Sequence, residues 1–159
     1  MIFVTLGTQN RAFTRLLDEI EEQAKKGNIK EEIVVQAGFT KYNSKYMKVV
    51  DFFDRDEFRE VMERCDLLIT HGGVGSILTG LQFNKKIIVC PRLSKYGEHL
   101  NDHQVQIVSN FVDKGYILAF NDGDNLGNIL KKCKRFKPKR FVSNTNNFIS
   151  LVDEFISKN

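Results

Sequence analysis

The stretch from Cys65 to Gln104 constrains the fold more than any other part of the chain. Leu67-Leu68-Ile69 is an apolar run of strand character that stops at Thr70-His71-Gly72-Gly73. Gly75 and Ser76 then open a helical pattern with Ile77, Leu78 and Leu81 on one face. A second apolar run, Ile87-Ile88-Val89-Cys90, ends at Pro91, and the loop after it carries Glu98, His99, Asn101, Asp102, His103 and Gln104. Strand, glycine turn, helix, strand and polar loop make one βαβ unit. Ligands of such units sit outside the carboxyl ends of the strands, so both loops are expected to open on one edge and serve one ligand.

The glycines let backbone approach a ligand closely, and the free amides and dipole of a helix opening at Gly75-Ser76 favour an anion such as phosphate. The plainer alternative is a tight strand-to-helix turn. Spacing excludes several other classes. There is no GxxxxGK[ST], and Leu78 stands where a dinucleotide fingerprint needs its third glycine. No HExxH, GxSxG or paired metal-ligand cluster occurs. His99 and His103, four apart, suit a metal only on a helix. Otherwise one belongs to the pocket and the other caps or packs.

The remaining chain repeats the alternation. Ile2 to Leu6 reads as a strand and Gly7-Thr8-Gln9-Asn10 as its turn. Phe13, Leu16, Leu17 and Ile20 form a helical stripe that ends near Gly27. Ile33-Val34-Val35 and Val49-Val50 read as strands. Asp54 or Asp56 caps a helix with Phe58, Val61 and Met62. Leu100 to Val112 is expected to be helical with Val105, Val108 and Phe111 inward, and Tyr116 to Phe120 to be the last strand. The polar and aromatic stretch Phe39–Tyr46 is a surface loop or a rim that meets a partner. This pattern predicts an α/β, Rossmann-like, doubly wound parallel sheet. At 159 residues the chain makes one domain, 1–159, with an amphipathic helix over 141–159 bearing Phe148, Leu151, Val152, Phe155 and Ile156.

No apolar run approaches the ~20 residues of a membrane span, and the start lacks the flanks of a signal peptide, so a cytoplasmic protein is expected. Cys65, Cys90 and Cys133 are widely spaced and read as reduced, buried thiols. The net charge of +4 comes largely from Lys131, Lys132, Lys134, Arg135, Lys137, Lys139 and Arg140. That run is a solvated face, or else meets an anionic membrane or an acidic partner. No nucleic-acid reading motif accompanies it.

His71-Gly72-Gly73-Val74-Gly75-Ser76-Ile77-Leu78, then Pro91, Asn101-Asp102-His103-Gln104 and Gly115-Tyr116, resembles the donor-binding half of the GT-B glycosyltransferases of family 28. Ile2-Phe3-Val4-Thr5-Leu6-Gly7-Thr8 is similar to the small soluble subunits of two-part enzymes that make dolichol-linked chitobiose. Pro91-Arg92-Leu93 and Lys95-Tyr96-Gly97-Glu98-His99 look more like bacterial capsule and exopolysaccharide members. The resemblance covers Met1 to about Phe120.

It implies one half of a GT-B fold and an inverting hexosyl transfer from a UDP-sugar to a lipid-linked saccharide, with no cofactor or metal. The acceptor-binding half is then a separate membrane-anchored subunit that holds this chain at the inner face of the membrane. Carried over, the donor site comprises His71, Gly72, Gly73, Gly75, Ser76, Asn101, Asp102, His103 and Gln104. Gly7-Thr8 is a phosphate or acceptor cradle, or only a connection. Phe53, with Phe52, reads the base or packs. Thr79 stands where many relatives have a ribose-binding Glu, and Glu98 is expected to supply that contact instead. Glu98 and His99 are the internal candidates for a catalytic base, which otherwise lies on the partner. The rival readings are a non-catalytic nucleotide-sugar-binding regulatory module and a dinucleotide-dependent enzyme.

Overall fold

The computed structural model describes residues 1–142. Among the described residues are six strands: β1 Ile2–Thr5, β2 Ile33–Gln36, β3 Lys48–Val50, β4 Leu67–His71, β5 Lys86–Cys90 and β6 Leu118–Ala119. Every pair is parallel, in the order β3-β2-β1-β4-β5-β6. Five helices alternate with them: α1 Thr14–Lys25, α2 Arg55–Arg64, α3 Val74–Gln82, α4 His103–Asp113 and α5 Leu126–Arg135. This is a doubly wound sheet whose order reverses between β1 and β4. The central strands read as continuous apolar runs because both faces are covered. Ile2, Val4, Val35, Ile69 and Ile88 pack under α1 and α5. Phe3, Val34, Leu68, Ile87 and Val89 pack under α2, α3 and α4.

Local chemistry sets the boundaries. Of the two candidate caps, Asp54 closes α2, accepting from Glu57 N while Glu57 Oε2 receives Asp54 N. Gly27, at φ +78°, follows α1 as expected. Lys85 directly precedes β5 and Lys86 is its first residue, and the two reach opposite faces of the sheet. Lys85 Nζ donates to the carbonyls of Glu63 and Cys65 at the end of α2, and Lys86 Nζ to those of Cys133 and Lys134 at the end of α5. Two adjacent lysines thus cap one helix on each face of the sheet.

Some expectations change. The helix expected from Leu100 begins at His103, leaving Leu100 79% exposed. Val105 is also exposed, whereas Val108 and Phe111 point inward. The last strand pairs only over Leu118–Ala119. The 37–47 connection is laced onto α1: Tyr42 Oη donates to Asp18 and Glu21, and Ser44 Oγ to Glu21. All three cysteines are free and buried. The basic run lies in α5 and after it, whereas the amphipathic helix expected over 141–159 lies outside the described residues apart from its first two positions. No described helix is long and apolar enough to cross a membrane.

Gly80 lets α3 lie close against the sheet. A Cβ there would meet Leu68 Cδ2 at 2.6 Å and Ile87 Cδ1 at 2.8 Å. A valine gains helix propensity of only a few tenths of a kcal/mol over glycine, and overpacking costs about 1–3 kcal/mol. Gly80→Val is therefore expected to lower the urea midpoint without changing the m-value.

Candidate functional site

At the carboxyl edge the β1–α1 loop, the β4–α3 turn and the loop after β5 converge on the His71 imidazole. Glycines clear the space for it. A Cβ on Gly73 would lie 2.3 Å from His71 Cε1, and one on Gly7 2.5 Å from Nε2. The ring is 7% exposed. Burial, reinforced by the Arg92 guanidinium and His99, drops its pKa to about 4, so it is neutral at neutral pH. Gly72 is tight for another reason, since a Cβ there would meet Gln104 Cβ at 2.8 Å.

Helix α3 begins at Val74, with Gly73 as its N-cap and no side chain capping it. Its first bond runs from Ile77 N to Gly73 O, so the amides of Val74, Gly75 and Ser76 have no carbonyl within the helix. Gly75 is exposed, and a Cβ there would meet nothing within 4 Å. Ser76 Oγ lies 3.3 Å from His71 Nε2. Thr79 Oγ1 donates back to Gly75 O at 2.8 Å, which occupies its proton within the helix.

Beside this helix start is a cleft of about 470 Å³ lined by Gln9, Gly73, His99, Asn101, His103, Gln104 and Ile107. A second cavity, of about 290 Å³, opens at the opposite edge beside Met1, Leu67, Lys86 and Cys133 and touches none of these residues. In the first cleft His99 Nδ1 accepts Asn101 N, and Asn101 Oδ1 accepts His103 N. A neutral His99 so held carries its proton on Nε2 and is a donor there. Burial first, then Arg92, His103 and Arg11, holds its pKa below the ordinary histidine value.

Several residues expected to touch a ligand serve the framework instead. Glu98 is 3% exposed. It receives Arg15 Nε and Nη2 on its two oxygens, both at 3.0 Å, and Leu93 N on Oε1. That leaves no carboxylate free for ribose or for a proton. Asp102 Oδ1 accepts Ser94 N and Oγ, which keeps its pKa below the usual carboxylate range. Gln104 Oε1 accepts Gly72 N at 3.0 Å and Arg92 N at 2.9 Å. Phe53 N donates to Gln36 Oε1 at 2.8 Å, and its ring packs edge-on against Phe3. Thr8 is exposed on the β1–α1 loop.

Two arginines escape notice in the sequence. Arg92 is 1% exposed and donates to the carbonyls of Leu6, Arg11 and Glu98. Its Nε finds no acceptor among the described residues, and burial lowers its pKa to about 10. Arg11 makes no ion pair among the described residues, and its guanidinium is close enough to His99 to act on it. Arg92 enters the sequence reading only within the Pro91-Arg92-Leu93 resemblance, with no role attached, and Arg11 not at all. The described residues hold no cluster of three His, Cys, Asp or Glu side chains suited to a metal ion.

A parallel sheet with an uncapped helix start and a polar cleft at its switch point defines a Rossmann-like domain of the GT-B kind. Residues 1–157 match the model of the glycosyltransferase family 28 C-terminal domain, and the chain belongs to that family. It is 38% identical over 72 residues to the UDP-N-acetylglucosamine transferase subunit ALG13 of Saccharomyces cerevisiae, across 45% of this chain and 34% of that protein. The Candida albicans protein of the same name is 24% identical over 71% of this chain and 37% of its own. The chain thus spans about a third of the length of these relatives. In fold it is similar to an NMR solution structure of ALG13, with TM-score 0.62, 22% identity and coverage of 94% and 93%. It also resembles Acinetobacter baumannii MurG, with TM-score 0.57, 13% identity and coverage of 83% and 40%.

Two measurements check this account of the site. Glu98→Gln should lower stability by about 2–3 kcal/mol, as expected when a buried charged pair is broken, and should leave ligand affinity per folded molecule unchanged. His71 binds protons more readily unfolded, near 6.5, than folded, near 4. Its contribution is therefore complete above pH 6.5 and declines toward pH 4, by about 3 kcal/mol. Urea titrations across that window should show the decline, and His71→Asn should flatten it.

Proposed function

We propose that this domain binds a UDP-sugar and stabilises the departing nucleoside diphosphate during inverting transfer of the sugar to a lipid-linked saccharide. The observation that carries the reading is the uncapped start of α3, whose first amides have no carbonyl within the helix and whose N-cap Gly73 lines a polar cleft. Those amides, the Ser76 hydroxyl and the Arg11 cation supply donors and charge to the leaving group without a metal or other cofactor. Asn101, His103 and the His99 Nε2–H line the cleft where the sugar hydroxyls would lie. The sugar is read as N-acetylglucosamine from the name of the relatives.

With Glu98 enclosed and His99 a donor at Nε2, the base that takes the acceptor's proton comes from elsewhere. We assign it to a membrane-anchored subunit that binds the acceptor, as the word subunit in the relatives' name supports. That partner would hold this domain at the cytoplasmic face of the membrane. The exopolysaccharide or capsule setting rests on the 91–99 segment alone. None of the relatives named above belongs to it, and Arg92 and Glu98 of that segment serve the framework. A dinucleotide fingerprint requires a third glycine where this chain has Leu78, which argues against a dinucleotide enzyme.

Calorimetric titration should show binding of UDP and UDP-N-acetylglucosamine and none of NAD. Gly75→Val should abolish that binding with the fold intact, since its side chain would project into open space before the amides. Arg11→Met should weaken UDP binding about tenfold or more and flatten its salt dependence. Binding of NAD in preference to UDP would overturn the assignment, and unchanged UDP affinity in folded Gly75→Val would remove the helix start from the site.

A further inference from the structure

We infer that Gln104 acts on the anion site through His71: its carboxamide holds the imidazole as the Nε2–H tautomer, and that tautomer turns the Ser76 hydroxyl proton outward. The identity of the anion as a nucleoside diphosphate rests on the reading above, whereas the relay rests on side-chain geometry alone.

The carboxamide cannot flip. Its oxygen accepts two backbone N–H groups from different loops, Gly72 at 3.0 Å and Arg92 at 2.9 Å. Flipping it would set the amide's own protons against both and leave buried donors unpaired. The carboxamide nitrogen therefore faces His71 Nδ1, at 3.4 Å. That nitrogen only donates, so Nδ1 must present its lone pair, and the proton of the neutral ring sits on Nε2. Nε2 lies 3.3 Å from Ser76 Oγ, so Ser76 accepts from the ring and keeps its own proton for another partner.

The slot left by Gly7 and Gly73 holds the ring closely, and a flip within it would set ring carbons against Gln104 Nε2 and Ser76 Oγ and forfeit both bonds. The charged or titratable groups acting on it are Arg92 and His99, while the hydrogen bonds of the ring go to Gln104 and Ser76. The opposite tautomer would set two donors against each other in a buried slot. It would also draw the Ser76 proton inward, so that oxygen lone pairs faced an incoming anion beside the α3 amides. The tautomer thus decides whether Ser76 attracts or repels the anion. Gln104 is a positioning residue, acting on the ligand from behind the imidazole.

The test uses the full chain labelled with 15N at histidine. The ring-nitrogen shifts of His71 at neutral pH should show Nε2 protonated and Nδ1 bare; a protonated Nδ1 would overturn the inference. In Gln104→Glu one carboxylate oxygen can still accept from Gly72 and Arg92, while the other presents an acceptor to the ring. The His71 signals should then show a proton at Nδ1, and UDP affinity should fall about tenfold or more. Ser76→Ala should lose a similar factor. Adding Gln104→Glu to Ser76→Ala should cost little more, because the relay ends at the hydroxyl. A simple repulsion between the new carboxylate and UDP would make the two losses multiply, and that result would overturn the relay. Should Gln104→Glu fail to fold, Gln104→Met with the same spectra replaces it. It frees the ring to populate both tautomers, and an unchanged, pure Nε2–H ring would overturn the role of Gln104. If the wild type shows the expected tautomer but binds inorganic diphosphate and not UDP, the relay stands and the nucleotide reading falls.

Discussion

The carboxyl edge of the sheet depends on two buried polar side chains, Arg92 and Gln104. Three irregular segments meet there, and their backbone groups cannot pair with one another as strands or helices do. Unpaired and buried, each would cost on the order of a hydrogen bond. The Arg92 guanidinium takes carbonyls from the β1–α1 loop and from its own loop. The Gln104 oxygen takes amides from the β4–α3 turn and the loop after β5. Burying the guanidinium is unfavourable by several kcal/mol, which its lowered pKa reflects. Three charge-assisted bonds and the Phe13 face 4.9 Å away offset that cost. The loops become one body, so the helix start and the cleft are held in place before any ligand arrives.

Glu98 extends the same framework sideways. Its partner Arg15 lies on α1, 83 positions away in sequence, and stacks over Tyr96 at 4.9 Å. Tyr96 Oη and Lys95 in turn bond Asp122, beyond β6. The loop after β5 is therefore tied on one side to α1 and on the other to the loop after β6. A loop so fixed can present Asn101 and His103 at a defined distance from α3, which a free loop of the same sequence could not.

The sheet was legible in the sequence because buried parallel strands leave uninterrupted apolar runs, and the helices between them keep a regular stripe. The meeting of the glycine turn and the polar segment after β5 at one edge was legible too, because a βαβ unit puts both at the carboxyl ends of its strands. The individual roles of the site's polar residues were not. Glu98, Asn101 and Asp102 lie in an irregular loop, and His103 and Gln104 in the first turn of α4, where no period yet separates inward from outward side chains. Glu98 and Gln104 turned inward to pair backbone and Arg15, and Asp102 folded back onto Ser94. That last contact also explains why α4 starts at His103 and not at Leu100. Arg11 and Arg92 belong to no repeating pattern, so only the folded arrangement separates them from surface arginines.

The basic run has a different address from the cleft. Lys86, the first residue of β5, bonds the last carbonyls of α5, and Lys139 N bonds Gly115 O just before β6. Both ties lie at the amino ends of the strands, whereas His71, Ser76 and Asn101 lie at the carboxyl ends. None of the seven basic residues forms an ion pair among the described residues, although Glu31 and Asp66 line the same hollows as Lys131 and Lys134. An anionic surface attracted to that edge would meet the side of the sheet opposite the cleft, and attraction of this kind fades within a Debye length of about 8–10 Å. Charge on α5 therefore cannot by itself bring the cleft to a lipid-linked acceptor. If the acceptor is membrane-borne, something bound at the carboxyl edge must present it, which is the geometric reason for placing an acceptor-binding subunit there and not at the basic edge.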